Sequence, residues 1–234
     1  MEQNKTGKYL KYAIGEILLV VIGILIALQI NNWNESRKAQ IQEQLLLNNL
    51  RVEFEDNLKD LDSINGEVDK VIVSLENVFE LFGPSPKIVS LDSLDYMLSS
   101  SLSSPNWRPS EYLLNNLAGS GSIADLKNEK LKLLLYKWSR LRNQMLEVDV
   151  RTEKTGEEII AYLKKYGSLR NADVTNEQFN YRKSTLGVSN LELLSDPQFE
   201  NHIDDKLYMY GNTKTILKEA KALIVKMIEE TEGI

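Results

Sequence analysis

The residues whose types suit chemistry are few. His202 is the only histidine, so a Ser-His-Asp relay would have to use it, and no set of imidazole metal ligands can come from one chain. It reads as a satisfied, partly buried side chain, with pH sensing as the functional alternative. The carboxylate clusters are Glu53/Glu55/Asp56, Glu157/Glu158 and Asp204/Asp205. Adjacent acids on a helix point in different directions, and none is joined by a ligand histidine three residues on, so these read as solvated faces. Gly119-Ser-Gly121-Ser looks like a phosphate-cradling loop only in composition. It lacks the lysine spacing and the preceding strand, and reads as a turn. The chain has no cysteine, which excludes thiolate metal sites, disulfides and thiol nucleophiles. The expectation is a non-enzyme with no catalytic residue, no metal and no cofactor.

One acid stands apart. Glu16 lies one turn into the segment 13–30, just before a run, residues 17–28, that has no polar side chain. Extended to residues 13–30, the run is about 18 residues and about 27 Å as a helix, near the thickness of a bilayer's hydrocarbon layer. Backbone groups in lipid must be paired within the segment, so a lone span of this kind has to be a transmembrane helix. Tyr9 and Tyr12 precede it and Trp33 follows, where amphipathic aromatics settle at the two interfaces. Gln29, Asn31 and Asn32 belong to the same interfacial zone, or ring the mouth of a pore. A cleaved signal peptide is the rival reading, but no small-x-small cleavage site follows Leu28.

On a helix Glu16 shares a face with Val20, Gly23, Ala27 and Ile30. Gly23-x-x-x-Ala27 is a small-xxx-small pattern that lets two helices approach closely. An ionisable group at this depth costs roughly 2–3 kcal/mol in lipid and normally faces protein or water. Two arrangements satisfy it. Glu16 points into a homo-oligomeric bundle, along a water-filled path, or it snorkels to the headgroups and pairs with Lys11 or Lys8. Lys5, Lys8 and Lys11 crowd the N-terminal flank, and the positive-inside rule then places residues 1–12 in the cytoplasm and the C-terminal part outside.

The elements that carry these residues read as helices throughout. The chain has 234 residues, 42% hydrophobic and 26% charged, enough for a real core and too polar for a multi-span membrane protein. Its net charge of -6 argues against a nucleic-acid binder. Apolar residues from Leu47 through Leu50, Phe54, Leu58, Leu61, Ile64, Val68, Val71, Leu75, Val78 and Phe82 recur at steps of three and four, one stripe of a long helix over residues 31–82. Gly66 marks a kink or short break in it, and Gly83-Pro84-Ser85-Pro86 ends it. Nothing between residues 30 and 41 forbids continuity with the membrane helix.

Residues 83–234 hold the remainder of the helical domain. Residues 90–101 read as a short helix, and Ser110 as the cap of another over 111–117. A long helix follows over 125–166, with Trp138 and Tyr166 on its apolar side. Residues 167–189 form a loop with an ordered patch around Phe179 and Tyr181. The last helix starts with Asp196 as N-cap and Pro197 at its first position, and Gly211 marks a bend in it. No segment alternates as a strand does. The fold class is all-α, an antiparallel bundle on a stalk-like helix. Trp107-Arg108 sits in a loop, either packed on the bundle or available to anchor a partner.

The stretch 8–35, KYLKYAIGEILLVVIGILIALQINNWNE, resembles the signature of an uncharacterised family of single-pass Bacteroidota membrane proteins. The likeness is looser over residues 117–123, 128–131 and 199–201. It implies an inner-membrane location in a Gram-negative cell and carries no activity. The reading is then a homo-oligomeric inner-membrane protein, held in the lipid bilayer, whose helical domain senses or docks something outside the cytoplasm. A pore lined by Glu16 is its most specific form, and an accessory or scaffold subunit bound to an envelope protein is the alternative.

Overall fold

The structure, a computed structural model, describes residues 3–84, 88–176 and 178–232, with side chains from Leu10 onward except that of residue 177 and those of residues 85–87. The side chains of Lys5, Lys8 and Tyr9, and the Ser85-Pro86 half of the glycine–proline break, lie outside the described residues. Every regular element among the described residues is a helix, so the protein is all-α. The chain divides into two compact units, Met1–Asn49 and Leu50–Gly233.

Helix α1 spans Gln3–Phe79 without interruption and contributes to both units. In the first unit every side chain from Leu10 to Gln42 is exposed. Local contacts there are few: Lys38 pairs with Glu35 at 3.0 Å, and the Arg37 guanidinium lies 5.9 Å from the Trp33 ring. The expected break at Gly66 does not occur. Gly66 is solvent-facing, and Leu61, Val68 and Val71 on the opposite side are buried, so packing overrides the ~1 kcal/mol propensity cost of one glycine. The apolar stripe is otherwise as the spacing requires. Leu50, Phe54, Leu61, Val68, Val71, Leu75 and Val78 are buried, and Leu58, Ile64 and Phe82 half-buried.

In the second unit, α2 (Leu91–Leu102) starts where Ser90 accepts from the Ser93 amide at 3.1 Å. Next come α3 (Tyr112–Ser120), α4 (Glu129–Tyr166) and the short α5 (Leu169–Asp173). A 3-10 turn, Asn190–Ser195, which the sequence did not suggest, leads into α6 (Pro197–Glu232). The Asp196 carboxylate accepts from the Gln198 amide at 2.9 Å, the capping arrangement read from Asp196-Pro197. Helix α6 passes through Gly211 as a helix.

Three starts and faces differ from the sequence reading. Helix α4 begins after Asn128, whose side chain accepts from the Leu131 amide at 3.0 Å, and not at Asp125. Gly119 and Ser120 belong to the last turn of α3, and Gly121, at φ 74°, closes it in the left-handed conformation that glycine adopts without strain. Tyr166 is exposed, although its ring lies tilted against that of Tyr162, with centroids 4.7 Å apart.

Cross-links fix the helix directions. Lys214 bonds Asp69 and Lys221 bonds Asp62 at 2.6 Å, so the second-unit part of α1 runs antiparallel to α6. Asn128 reaches the Glu230 carbonyl at 3.1 Å, Thr152 meets Thr213 at 3.2 Å, and Tyr162 stacks on Phe199 at 5.7 Å. Helices α4 and α6 are therefore antiparallel as well. The seam between α1, α4 and α6 is the core, filled by residues such as Leu75, Trp138, Leu163, Phe199 and Ile224.

Candidate functional site

Glu16, Val20, Gly23, Ala27 and Ile30 lie within roughly 40° of Glu16 about the helix axis, at 100° per residue. All five are exposed, and a Cβ built on Gly23 would meet nothing within 4 Å. Glu16 has no hydrogen bond or ion pair to a described residue, so the pairing with Lys11 is not formed here. Tyr12, Gln29, Asn31, Asn32 and Trp33 are exposed too. The structure thus places these side chains on one uncovered helix without bringing them against another element. By length and composition this is one helix able to cross a membrane among the described residues.

The second unit concentrates its polar chemistry where residues 103–111 link α2 to α3. Trp107 of this link is buried and packs edge-on to Trp138 of α4, with ring centroids 6.0 Å apart. Its indole therefore serves the core and not the surface, whereas Arg108 is exposed. Its Nε1–H has no hydrogen-bond partner among the described residues. Glu111 holds the same region to α4, accepting from Trp138 Nε1 at 2.9 Å and Arg142 Nε at 3.3 Å.

At the α3 end, α1 supplies the anchors. Ser110 does not cap α3. Its backbone amide donates to Asn57 Oδ1 (2.7 Å) and its carbonyl accepts from Asn57 Nδ2 (2.8 Å). The buried Glu53 carboxylate takes the Ser110 hydroxyl at 2.6 Å and the amides of Tyr112 and Leu113 at 2.7 and 3.2 Å. An acid reaching from another helix thus satisfies the first amides of α3 and faces the positive end of its dipole. Reading Glu53 as part of a solvated face was incorrect, while Glu55 and Asp56 are exposed.

At the α2 end the anchor has the opposite charge. Lys206 of α6 is fully buried, and its ammonium donates to the carbonyls of Ser101 (2.6 Å) and Ser103 (3.2 Å) at the C-terminus of α2. Tyr210 donates to the same Ser103 carbonyl at 3.2 Å, and its ring lies 5.6 Å from the ammonium. Among the described residues no carboxylate bonds Lys206. Burial alone pulls its pKa down to about 8, and burial pushes the Tyr210 hydroxyl up to about 12. A cavity of about 40 Å³ adjoins Tyr210, lined by Ser104, Pro105, Asn106, Asp149, Thr152, Glu153 and Thr213. Burial raises the Asp149 carboxyl, and Arg142 and Arg108 oppose that shift.

A third polar knot fixes the loop after α5. Asp95, buried in α2, accepts from Lys183 (2.7 Å) and from Asn190 (2.9 Å), and Asp92 takes Lys183 at 2.6 Å. In the same loop Phe179 and Tyr181 stack at 5.5 Å, the ordered patch expected there. His202 stands half-buried, 5.2 Å from the Tyr162 ring and 3.7 Å from Glu158. Among the described residues no group of three acids or imidazoles is placed to hold a metal ion.

The sequence reading placed Glu53 on a solvated face and passed over Asn57 and Lys206, yet the spacing of these two was a signal. Lys206 falls in the series Phe199, Ile203, Lys206, Tyr210, Thr213, Leu217, and Asn57 in the series Leu50, Phe54, Asn57, Leu61. A polar residue at a core position of a stripe is a buried group that must find partners.

These features define an all-α protein with one candidate membrane-spanning helix and a helical domain stitched by buried polar anchors. Residues 16–136, slightly more than half of the chain, match a family of unknown function (DUF6090), and the protein belongs to that family. The match begins at Glu16 and ends at Tyr136, so α6, Lys206 and residues 199–201 lie outside it. No curated protein and no solved structure matches the chain.

Proposed function

We propose that this protein is a single-pass inner-membrane protein whose apolar helix self-associates and whose helical domain senses or docks a partner outside the cytoplasm, without catalysis. The observation that carries the reading is the uncovered apolar run, residues 17–28, every side chain of which is exposed in the chain alone. Leaving such a surface in water is unfavourable at about 25 cal/mol per Å², and a bilayer removes it. The face of Glu16, Val20, Gly23, Ala27 and Ile30 supports self-association, because it joins an acid that needs a partner in lipid to two small residues that permit close approach. The lysine-rich N-terminal flank supports a cytoplasmic N-terminus.

The test is the oligomeric state of the full chain extracted in mild detergent, read by cross-linking and mass measurement. An oligomer that Gly23→Leu and Ala27→Leu dissociate is expected. A monomer unaffected by either change overturns self-association, and one that co-purifies stoichiometrically with a different protein points to the scaffold reading. The pore form predicts ion flux in proteoliposomes that Glu16→Gln alters, and absence of flux removes it.

A further inference from the structure

Closing residues 103–110 over the α4–α6 seam confines one ammonium with no carboxylate partner among the described residues. Lys206 is fully buried, and among the described residues its hydrogen bonds run to the carbonyls of Ser101 and Ser103. Those carbonyls end α2, where the negative end of the helix dipole offsets part of the desolvation but not a whole charge. The fit is close: a Cβ on Gly156 would stand 3.3 Å from Ser104 Oγ and 3.4 Å from Lys206 Nζ. The link itself is held unevenly: at its far end Ser110 is tied to Asn57 and Glu53 of α1 and Trp107 is buried with its Nε1–H unpaired, while Ser103, Ser104 and Asn106 at the near end are exposed.

We propose that residues 103–110 are a strap that lifts from the α4–α6 seam, and that the charge on Lys206 sets how readily it lifts. Lifting frees the Ser103 carbonyl from Lys206 and Tyr210 and lets water reach the ammonium. The closed strap favours the neutral amine and the open strap the charged one, so opening takes up a proton above the closed-state value and is independent of pH below it. The other titratable and charged groups around this seam include Asp149, Glu153 and Arg142 of α4, Tyr210 on α6 and Arg108 on the strap, with Glu53 and Glu111 at its far end. None of them bonds Lys206. Burial pushes the Tyr210 hydroxyl up to about 12, well above the value to which burial lowers Lys206.

The strap stands independently of the membrane reading. Its test is hydrogen exchange, resolved to peptides covering residues 103–110, on the full chain in detergent micelles from pH 7 to 10.5. After correction for intrinsic exchange, the open fraction is expected to be flat below about pH 8 and then to fall about tenfold per pH unit up to the ordinary lysine value. Lys206→Met and Lys206→Gln should flatten the profile. Lys221→Met, at a half-exposed lysine paired with Asp62, should leave it unchanged. A flat wild-type profile, or an undiminished slope in the Lys206 variants, overturns the proposal. Should neither Lys206 variant fold, the wild-type and Lys221→Met profiles decide it, and loss of the slope in Lys221→Met overturns it equally.

Discussion

The two units of this chain use their non-local contacts in opposite ways. Residues 10–42 are helical with every side chain exposed, and what they touch lies within a turn of themselves, as Lys38 and Glu35 do. The second unit is built from contacts distant in sequence. Glu53 caps a helix some sixty residues away, and Lys206 closes one more than a hundred residues earlier. The apolar run of the first unit is therefore specified by composition alone, since an apolar segment in lipid has to be helical whatever surrounds it. The second is specified by agreement among many side chains, each fixed by a partner on another element. The two should fail independently.

The largest effect expected is on the first unit. Replacing both Ile22 and Leu25 with arginine puts two charges at the middle of the apolar run, at about 2.5–3.5 kcal/mol each in a bilayer. The protein should leave the membrane fraction after sedimentation, while the thermal transition of the second unit stays where it was. A change in that transition would mean the units do not fail separately.

Next in size is Trp107→Ala. Removing a buried indole packed on Trp138 costs about 3–5 kcal/mol, which for a domain of this size lowers Tm by roughly 10 °C. Membrane fractionation should not change. Glu53→Ala should follow at about 2–3 kcal/mol, because it strands the amides of Tyr112 and Leu113 and the Ser110 hydroxyl. Urea unfolding followed by far-UV circular dichroism measures both, and a loss below about 0.5 kcal/mol for Glu53→Ala would contradict the capping role.

The same contrast decides what could be read before the structure. Features carried by neighbours in sequence were legible: the apolar run, the stripe from Leu50 to Val78, the short helix over residues 90–101, and Asp196-Pro197 opening α6. Features set by distant partners were not. Ser110 has the right type and place for an N-cap, but Asn57 occupies its backbone and Glu53 takes over the cap. Asp125 looked like a helix start because it precedes a good apolar series, yet Asn128 is the residue whose side chain meets an unpaired amide. Lys206 carried no reading of its own, because its place in the stripe marks a buried position but not the Ser101 and Ser103 carbonyls, more than a hundred residues earlier, that receive it.

A smaller effect is expected at Tyr162, whose hydroxyl donates to Asp196 at 2.5 Å. This bond, with the amides at the start of α6, holds the Asp196 carboxyl below its ordinary 3.8, and it is the main reason that the Tyr162 hydroxyl is pushed up to about 12. A carboxyl lowered on folding adds stability that is complete above its unfolded value and is lost as pH falls through the folded one. Tyr162→Phe should cost about 1 kcal/mol near neutral pH. The gap between wild type and variant should narrow below about pH 4, as Asp196 takes up its proton in both. A gap that stays constant down to pH 2 would assign the cost to packing against Phe199 and not to the bond.

The smallest change tests the continuity of α1 itself. Gly66 lies in the middle of a helix, faces solvent, has no φ in the left-handed region, and a Cβ there would meet nothing within 4 Å. Alanine at that position loses no contact and restricts the unfolded chain more than glycine does, so Gly66→Ala should stabilise the second unit by about 0.5–1 kcal/mol. Were the helix broken or bent at Gly66, as the residue type alone implies, alanine would instead be neutral or destabilising. Chemical denaturation distinguishes the two by the sign of the midpoint shift. The expected sign is positive because the buried residues on either side, Leu61 and Val68, already hold the backbone helical across the glycine.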